Sequence, residues 1–191
     1  MSGIAEPDAA TLAAEAALRA LVTAYSRAVD RRDFALMRSL YDDDAFERHG
    51  QAFEGGPDAY IAFLHKATAA FEATVHYVVQ TSFLIDGDHA EGEVHKINYH
   101  RTHGPDRREI VTGSRSLDHY VRRDGTWRFL SRQVTLDWAR TQVVDPAAYE
   151  DFAAQSPPGQ AGPDDLSYHV LKAFPRGPGV PPVRLSKGGT T

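Results

Sequence analysis

The sequence of 191 residues contains no cysteine, and this absence excludes disulfides, thiolate nucleophiles and cysteine-ligated zinc or iron–sulfur sites. It also lacks a basic excess. The formal net charge of −5 argues against a surface for nucleic acid or anionic membranes. No apolar run is long enough to span a membrane, and the N-terminus lacks the basic segment of a signal peptide. We therefore expect a cytoplasmic protein without nucleic-acid or membrane partners.

Several sequence patterns of cofactor sites are missing as well. No glycine-rich turn follows a strand and opens a helix, and no serine occupies a nucleophile elbow. Nine histidines suggest a metal, but His100 and His103 lie three apart on a predicted strand and would point to opposite faces. No predicted helix carries the spacing of two histidines and one carboxylate. We therefore expect no metal and no other cofactor.

What is present is a run of helical patterns followed by a run of strands. An apolar stripe at helical spacing predicts a helix over 8–30, Asp33 is a suitable N-cap for a short second helix, and Pro57 suits the first turn of a third that ends near residue 71. Alternating patterns then predict strands over 73–85, 90–102, 110–122 and 126–138. This order favours the α+β class, with a curved antiparallel sheet wrapped around the N-terminal helices as a cone-shaped barrel with a deep pocket.

The composition changes after Trp138. We predict a barrel domain over 8–138 and a Pro/Gly-rich C-terminal extension over 139–191, which contains eight of the eleven prolines. An apolar island within the extension consists of Leu166, Tyr168, Val170, Leu171 and Phe174. This island can dock on the barrel or on a neighbouring subunit, and a loosely attached tail is an equally good interpretation.

His76 is the most informative residue, because it interrupts the apolar strand "ATVHYVVQ". Strict alternation groups its side chain with those of Val78, Gln80, Ser82 and Leu84 on one face. Both faces of the strand are largely apolar, so we expect both to be covered. A histidine in such a place needs a hydrogen-bond partner, and a purely structural histidine bonded to a backbone carbonyl is one interpretation.

Asp30 offers another, because this carboxylate ends the first predicted helix and can reach the concave face of a wrapping sheet. Bonded to one ring nitrogen of His76, it would orient the imidazole, stabilise the imidazolium and leave the other nitrogen as a base. The alternative for Asp30 is a solvated helix end, and sequence spacing alone cannot join the two residues.

Three segments, "YSRAVDRRDFALMRSLYDDDAFE", "ATVHYVVQ" and "YVRRDGTWRFLSRQ", resemble the SnoaL-like branch of the nuclear-transport-factor-like (cystatin-like) α+β barrels over residues 16–138. Their motifs are similar to those of bile-acid dehydratase, lindane dehydrochlorinase and, more distantly, scytalone dehydratase. The resemblance implies a catalytic dyad of Asp30 and His76, with Tyr25 and Arg132 beside it. It also implies a homo-oligomer, a trimer in preference to a dimer.

The following strand departs from those enzymes, and it offers Asn98, Tyr99 and His100 as substrate-binding candidates. Only one of the adjacent Tyr99 and His100 can face the cavity, and either would serve as the acid that protonates a leaving group. Val78 is expected in the cavity wall.

Arg132 has two interpretations. It can hold a phenolate, enolate or carboxylate of the substrate, or it can form a salt bridge with Asp118 or Asp137.

Together these features predict a cofactor-independent lyase that eliminates water or a related group from a small, largely apolar ring-containing substrate. A lyase that breaks a carbon–carbon bond and releases a small aldehyde, or an isomerase that moves a double bond, would begin with the same base. A binding or partner module of the same fold is the non-enzyme alternative.

Overall fold

The computed structural model describes residues 3, 5–145, 147, 150, 151, 154–171, 173 and 174. Helices lead and strands follow, as the sequence predicts. The helices are α1 (Ala9–Asp30), α2 (Phe34–Ser39), α3 (Pro57–Thr68) and α4 (Leu166–Val170). The strands are β1 (Tyr41–His49), β2 (Phe53–Gly55), β3 (Phe71–Asp86), β4 (His89–Thr102), β5 (Arg108–Arg123) and β6 (Thr126–Val143).

Local signals explain where the helices begin. The Asp8 carboxylate accepts a hydrogen bond of 2.7 Å from the Thr11 amide at the start of α1. Asp33 does the same for α2, with 2.9 Å to the Leu36 amide, so its predicted role as an N-cap is confirmed. α3 begins with Pro57. Proline lacks an amide proton, and this costs nothing in the first turn of a helix, where an amide has no acceptor within the helix.

The six strands form one curved, open sheet in the order β2-β1-β6-β5-β4-β3. The α+β fold with a sheet around N-terminal helices is confirmed, although the sheet does not close on itself and the helices complete the cone. The prediction of an antiparallel sheet is wrong for one pair of strands. β1 runs parallel to β6, with Phe46 beside Ser131. Alternation identifies a strand but says nothing about its neighbour, and here β1 lies beside the last strand of the meander.

The core lies between α1 and the concave face of the sheet. Leu18, Val22 and Val29 form the buried stripe of α1, each at most 3% exposed. Tyr120 and Phe129 meet this stripe from β5 and β6, and both are fully buried. Apolar burial of this kind stabilises each large side chain by roughly 1.5–3 kcal/mol, so the stripe holds α1 firmly against the sheet.

A β-bulge after Val78 divides β3 into two halves with opposite facing. Before the bulge His76 points inward, as expected from the sequence. Beyond it Phe83 packs against the core, while Leu84 is 72% exposed. The prediction that Gln80, Ser82 and Leu84 share the face of His76 is therefore wrong, because the extra residue shifts the alternation by one. The expectation that both faces are covered also fails within the single chain.

The last strand is longer than the sequence predicts. β6 pairs with β5 as far as Arg108 and Val143, five residues past the predicted boundary at Trp138. One member of the apolar island, Tyr168, lies near the end of α1, where it is 7% exposed and its hydroxyl is 3.3 Å from an Asp33 oxygen. The neighbouring Asp165 forms a 3.0 Å ion pair with Arg31. The other members of the island are 40–65% exposed, so docking of the whole island stays a prediction.

Among the described residues, no helix combines the length and apolar character that crossing a membrane requires.

Candidate active site

A cavity of about 260 Å³ opens between α1, α3 and the concave face of the sheet. This volume lies slightly below the usual range for ligand pockets and suits one small ring. Its apolar walls include Val29, Phe63, Leu64, Phe71, Val134 and Leu136. Its polar lining includes Tyr25, His49, Tyr60, His76, Lys96, Asn98 and His100.

Asp30 and His76 are in direct contact at this cavity. Asp30 Oδ1 lies 2.6 Å from His76 Nδ1, and Asp30 Oδ2 accepts a 2.9 Å hydrogen bond from the His76 amide. Thr74 donates a further bond of 3.1 Å to Oδ1. Asp30, 8% exposed, is thus held at both carboxylate oxygens, and the second ring nitrogen of His76 has no hydrogen-bond partner among the described residues.

The end of α1 is held in place by Arg32, which has a left-handed backbone (φ 55°). Its guanidinium donates to the carbonyl of Val29 and to the Thr74 hydroxyl, both at 2.7 Å. This cation therefore ties the last turn of α1 to β3, and that tie positions the Asp30 carboxylate against the strand.

His100, not Tyr99, faces the cavity. The His100 ring lies edge-on to His76, with 5.3 Å between ring centroids, and burial followed by the neighbouring His76 lowers the pKa of His100 to about 4. Tyr99 points to the other face, where its hydroxyl donates to Glu109 at 2.7 Å. The predicted contact of Tyr99 with substrate is therefore wrong, because adjacent residues of a strand face opposite ways.

A chain of hydrogen bonds leads from Tyr25 into the protein. The Tyr25 hydroxyl is 2.5 Å from that of Tyr60, which lies 3.1 Å from His49 Nε2, and this nitrogen lies 2.7 Å from a Glu47 oxygen. Glu47 is only 1% exposed and also accepts from the Tyr41 hydroxyl at 2.7 Å. Burial, then the Glu47 charge, raises the pKa of Tyr25 to about 12, so this phenol keeps its proton at neutral pH.

Sequence reasoning missed Glu47, His49 and Tyr60. The alternation Glu47-x-His49 was present in the predicted extended segment, but only the parallel placement of β1 beside β6 brings His49 to the cavity, with the buried Glu47 behind it.

Arg132 lies behind the cavity. Its guanidinium donates hydrogen bonds of 2.8 and 2.9 Å to the Asp118 carboxylate, and both residues are 2% exposed. It also stacks on Tyr25 and Phe129, with 4.1 and 3.9 Å to the ring centroids. The predicted direct grip on substrate is wrong, since the salt bridge with Asp118, the alternative interpretation, occupies this cation.

The two remaining sequence candidates differ. Asn98 lines the cavity and donates from Nδ2 to Thr112 (3.2 Å) and Ser114 (2.8 Å), while its buried Oδ1 has no hydrogen-bond partner in the described part of the chain. Val78 packs against the apolar core instead of the cavity, so its predicted place in the wall is wrong.

Lys96 is a further polar residue of the cavity that the sequence did not single out. It is 7% exposed, lines the cavity and places its ammonium 5.2 Å from the centroid of the Tyr25 ring. Burial, then the positive charge of Arg132, lowers the pKa of Lys96 to about 7. Its position between Val94 and Asn98 in an alternating strand was a signal that it faces inward.

Over the ranges that the structure describes, no three histidine or acidic side chains cluster as a metal site would require.

Comparison with known proteins places the chain in a family. The model of the SnoaL-like domain matches residues 10–133. None of the curated proteins is similar enough in sequence to match. The putative scytalone dehydratase from Novosphingobium aromaticivorans has a similar structure, with 20% identity, 71% of this chain and 91% of that chain covered, and a TM-score of 0.63.

Two further solved structures have the same fold. LinA is 23% identical over 69% of this chain and 91% of its own, with a TM-score of 0.64. ActVI-ORFA from Streptomyces coelicolor is 20% identical over 65% of this chain and 98% of its own, with a TM-score of 0.57. These likenesses establish the architecture, and the match over residues 10–133 shows that the chain belongs to the SnoaL-like domain family.

Proposed function

We propose that the protein is a cofactor-independent lyase in which His76, oriented by Asp30, removes a proton from carbon and a group leaves from the neighbouring carbon. The observation that carries the proposal is the 2.6 Å contact between Asp30 Oδ1 and His76 Nδ1 at the wall of a cavity. A carboxylate in this place stabilises the imidazolium that forms when the other nitrogen takes a proton.

The leaving group needs a proton, and the residues around the cavity suggest its source. His100 is an unsuitable acid at neutral pH, since an imidazole with a pKa near 4 carries no second proton to give. Tyr25 keeps its proton, and its hydroxyl is backed by Tyr60, His49 and Glu47. Tyr25 comes from α1 and His76 from β3, and both side chains line the same cavity. We assign the acid role to Tyr25 and its hydrogen-bonded chain.

The substrate class follows from the walls. Aliphatic and aromatic side chains form the apolar walls of a cavity of about 260 Å³, and histidine, tyrosine, lysine and amide groups in its lining can orient a ligand. A single ring with an activating group and a hydroxyl on the β-carbon fits this chemistry.

The test is α-proton exchange, because it detects the base whatever the leaving group. The protein would be incubated in D₂O with a panel of small ring ketones that carry a hydroxyl or halide on the β-carbon. Mass spectrometry would follow deuterium uptake, and ultraviolet absorbance the conjugated product. We expect His76→Ala to lower the rate of α-proton exchange by a factor of roughly 10²–10⁴.

A matched control is His95→Ala. His95 also pairs with a carboxylate, at 2.7 Å from Glu93, but it lies on the outer face of β4. Its loss should leave exchange unchanged. A wild-type protein that binds members of the panel yet exchanges no α-proton would indicate the binding module instead.

We further propose a homo-oligomer built through the outer face of the sheet, with a trimer favoured over a dimer. Tyr77 and Ile97 pair across β3 and β4 on this face and are 56% and 38% exposed, with Val79 and Leu117 nearby at 59% and 40%. Apolar side chains exposed together in this way favour an interface. Light scattering should give a trimer that Val79→Arg dissociates, and a wild-type monomer would refute the proposal.

A further inference from the structure

Lys96 is the buried group for which elimination by the dyad has no role. Its side chain comes from the concave face of β4 and lines the cavity beside Tyr25 and Asn98. Across the described part of the chain, its ammonium makes no hydrogen bond and no ion pair within 4 Å, although the residue is 93% buried. An unpaired charge at such a site is costly, and this cost favours the neutral amine.

The charged groups around Lys96 leave it without a counterion. Asp118, from β5, is engaged at both oxygens by Arg132 from β6. Glu47, from β1, is engaged by a tyrosine hydroxyl and by His49. α1 contributes the face of a phenol ring, not a carboxylate. Burial and the nearby guanidinium therefore dominate, and they lower the pKa of Lys96 to about 7, the situation in which a lysine becomes a nucleophile.

The strand register places Lys96 on the same face of the sheet as the base. Lys96 pairs with Val78 and Asn98 pairs with His76, so Lys96 and His76 are diagonal neighbours on one face. Their backbones are then about 7–8 Å apart. A carbonyl carbon bonded to Nζ would hold its own α-carbon one bond further into the cavity, within the space that the imidazole also borders.

We propose that Lys96 Nζ condenses with the carbonyl carbon of a small ring-containing aldehyde or ketone and holds the substrate as a Schiff base beside His76. The nitrogen lone pair forms the C–N bond, the carbonyl C–O bond breaks, and the oxygen leaves as water. The protonated imine draws electrons from the α-carbon and acidifies its hydrogen.

The later steps rest on the proposed function. His76 takes the α-proton, the electron pair forms the C=C bond, and the β-oxygen leaves as water with a proton from the Tyr25 hydroxyl. A second water then hydrolyses the imine, which releases the unsaturated carbonyl product and restores the amine. Protons lost and gained by the side chains exchange with solvent, and no oxidant or reductant is required.

The experiment is reductive trapping with benzaldehyde, a small ring aldehyde that has no α-hydrogen and so cannot undergo the elimination. Sodium cyanoborohydride at pH 7 converts an imine into a stable benzylamine, and peptide mass spectrometry locates it. About half of the Lys96 amine is neutral at this pH, against about one part in 3,000 for an ordinary lysine. We expect Lys96 to be benzylated at least about tenfold faster than the exposed Lys66 of α3 in the same sample.

Lys96 and Lys66 are compared in one sample of folded wild-type protein, so the test does not depend on whether a variant folds. Equal or slower labelling of Lys96 would overturn the proposal. Lys66→Met should leave the Lys96 adduct unchanged, and Lys96→Met should abolish the fast phase.

The two proposals can fail separately. Trapping of Lys96 in His76→Ala, together with absence of α-proton exchange in the wild type, would refute the dyad as the base and leave the Schiff-base site standing. Exchange that depends on His76, with no preferential trapping, would refute the Schiff base alone.

Discussion

Replacement of Lys96 by methionine should stabilise the protein, and the gain should depend on pH. Methionine has a similar length and no charge, so it removes the buried ammonium without leaving a large void. The pKa of Lys96 falls from an ordinary value of 10.5 to about 7 in the folded chain. Each pH unit corresponds to about 1.4 kcal/mol, so burial of the charged form costs roughly 5 kcal/mol at pH 6.

The direction of the pH effect follows from proton binding. Between pH 7 and 10.5 the unfolded chain holds a proton on Lys96 that the folded chain has released, so the wild-type free energy of unfolding rises with pH in this window. The cost that remains at pH 9.5 is about 1–2 kcal/mol. The difference between Lys96→Met and wild type should therefore shrink by roughly 3 kcal/mol from pH 6 to pH 9.5.

Urea denaturation followed by circular dichroism at several pH values measures this difference. The matched control is Lys66→Met, because Lys66 is exposed on α3 and its loss should give no pH-dependent change. If the free energies of unfolding of Lys96→Met and wild type changed in parallel with pH, Lys96 would not be buried as an unpaired amine. Its proposed role as a nucleophile would then lose its basis.

Four other single substitutions probe the site and its support. His76→Ala and Asp30→Asn should each lower kcat on the elimination substrate by roughly 10²–10⁴ with little change in KM, and the double variant should cost little more than the worse single one in steady-state kinetics. Asp118→Asn should destabilise the fold by about 3–5 kcal/mol in urea denaturation, because it leaves a buried guanidinium without its counterion. Gly113→Ala should expel the Trp138 indole that covers the glycine, cost about 1–3 kcal/mol and shift tryptophan emission to the red.

Each of these expectations has a clear contrary result. A His76→Ala enzyme with wild-type kcat would make the dyad structural. Unchanged stability of Asp118→Asn would mean that the buried salt bridge contributes nothing to the free energy of unfolding. The control is Asp137→Asn, which removes the exposed carboxylate that pairs with Arg115. Unchanged emission in Gly113→Ala would show that the indole does not rest on β5.

Local patterns in the sequence determined most of the elements. The apolar stripe of α1, the N-caps and the alternation of β3 to β6 follow from short-range backbone and side-chain preferences, so they could be predicted without the fold. The same patterns marked His76, because an imidazole in an apolar strand stands out, and Asp30, because a carboxylate ends the core helix.

Tertiary structure decided which of the polar residues meet. The bulge after Val78 reversed which side chains face inward in the second half of β3, and the local alternation of the sequence does not predict it. The parallel pairing of β1 with β6 brought His49 to the cavity and placed Glu47 behind it, although their partners on β6 lie about 85 residues away in the chain. Burial of Lys96 without a counterion depends on Arg132 engaging Asp118 first. Sequence alternation assigns each side chain to a face, but the curvature of the sheet and the competition among buried charges set the distances between them, and those distances decide the chemistry.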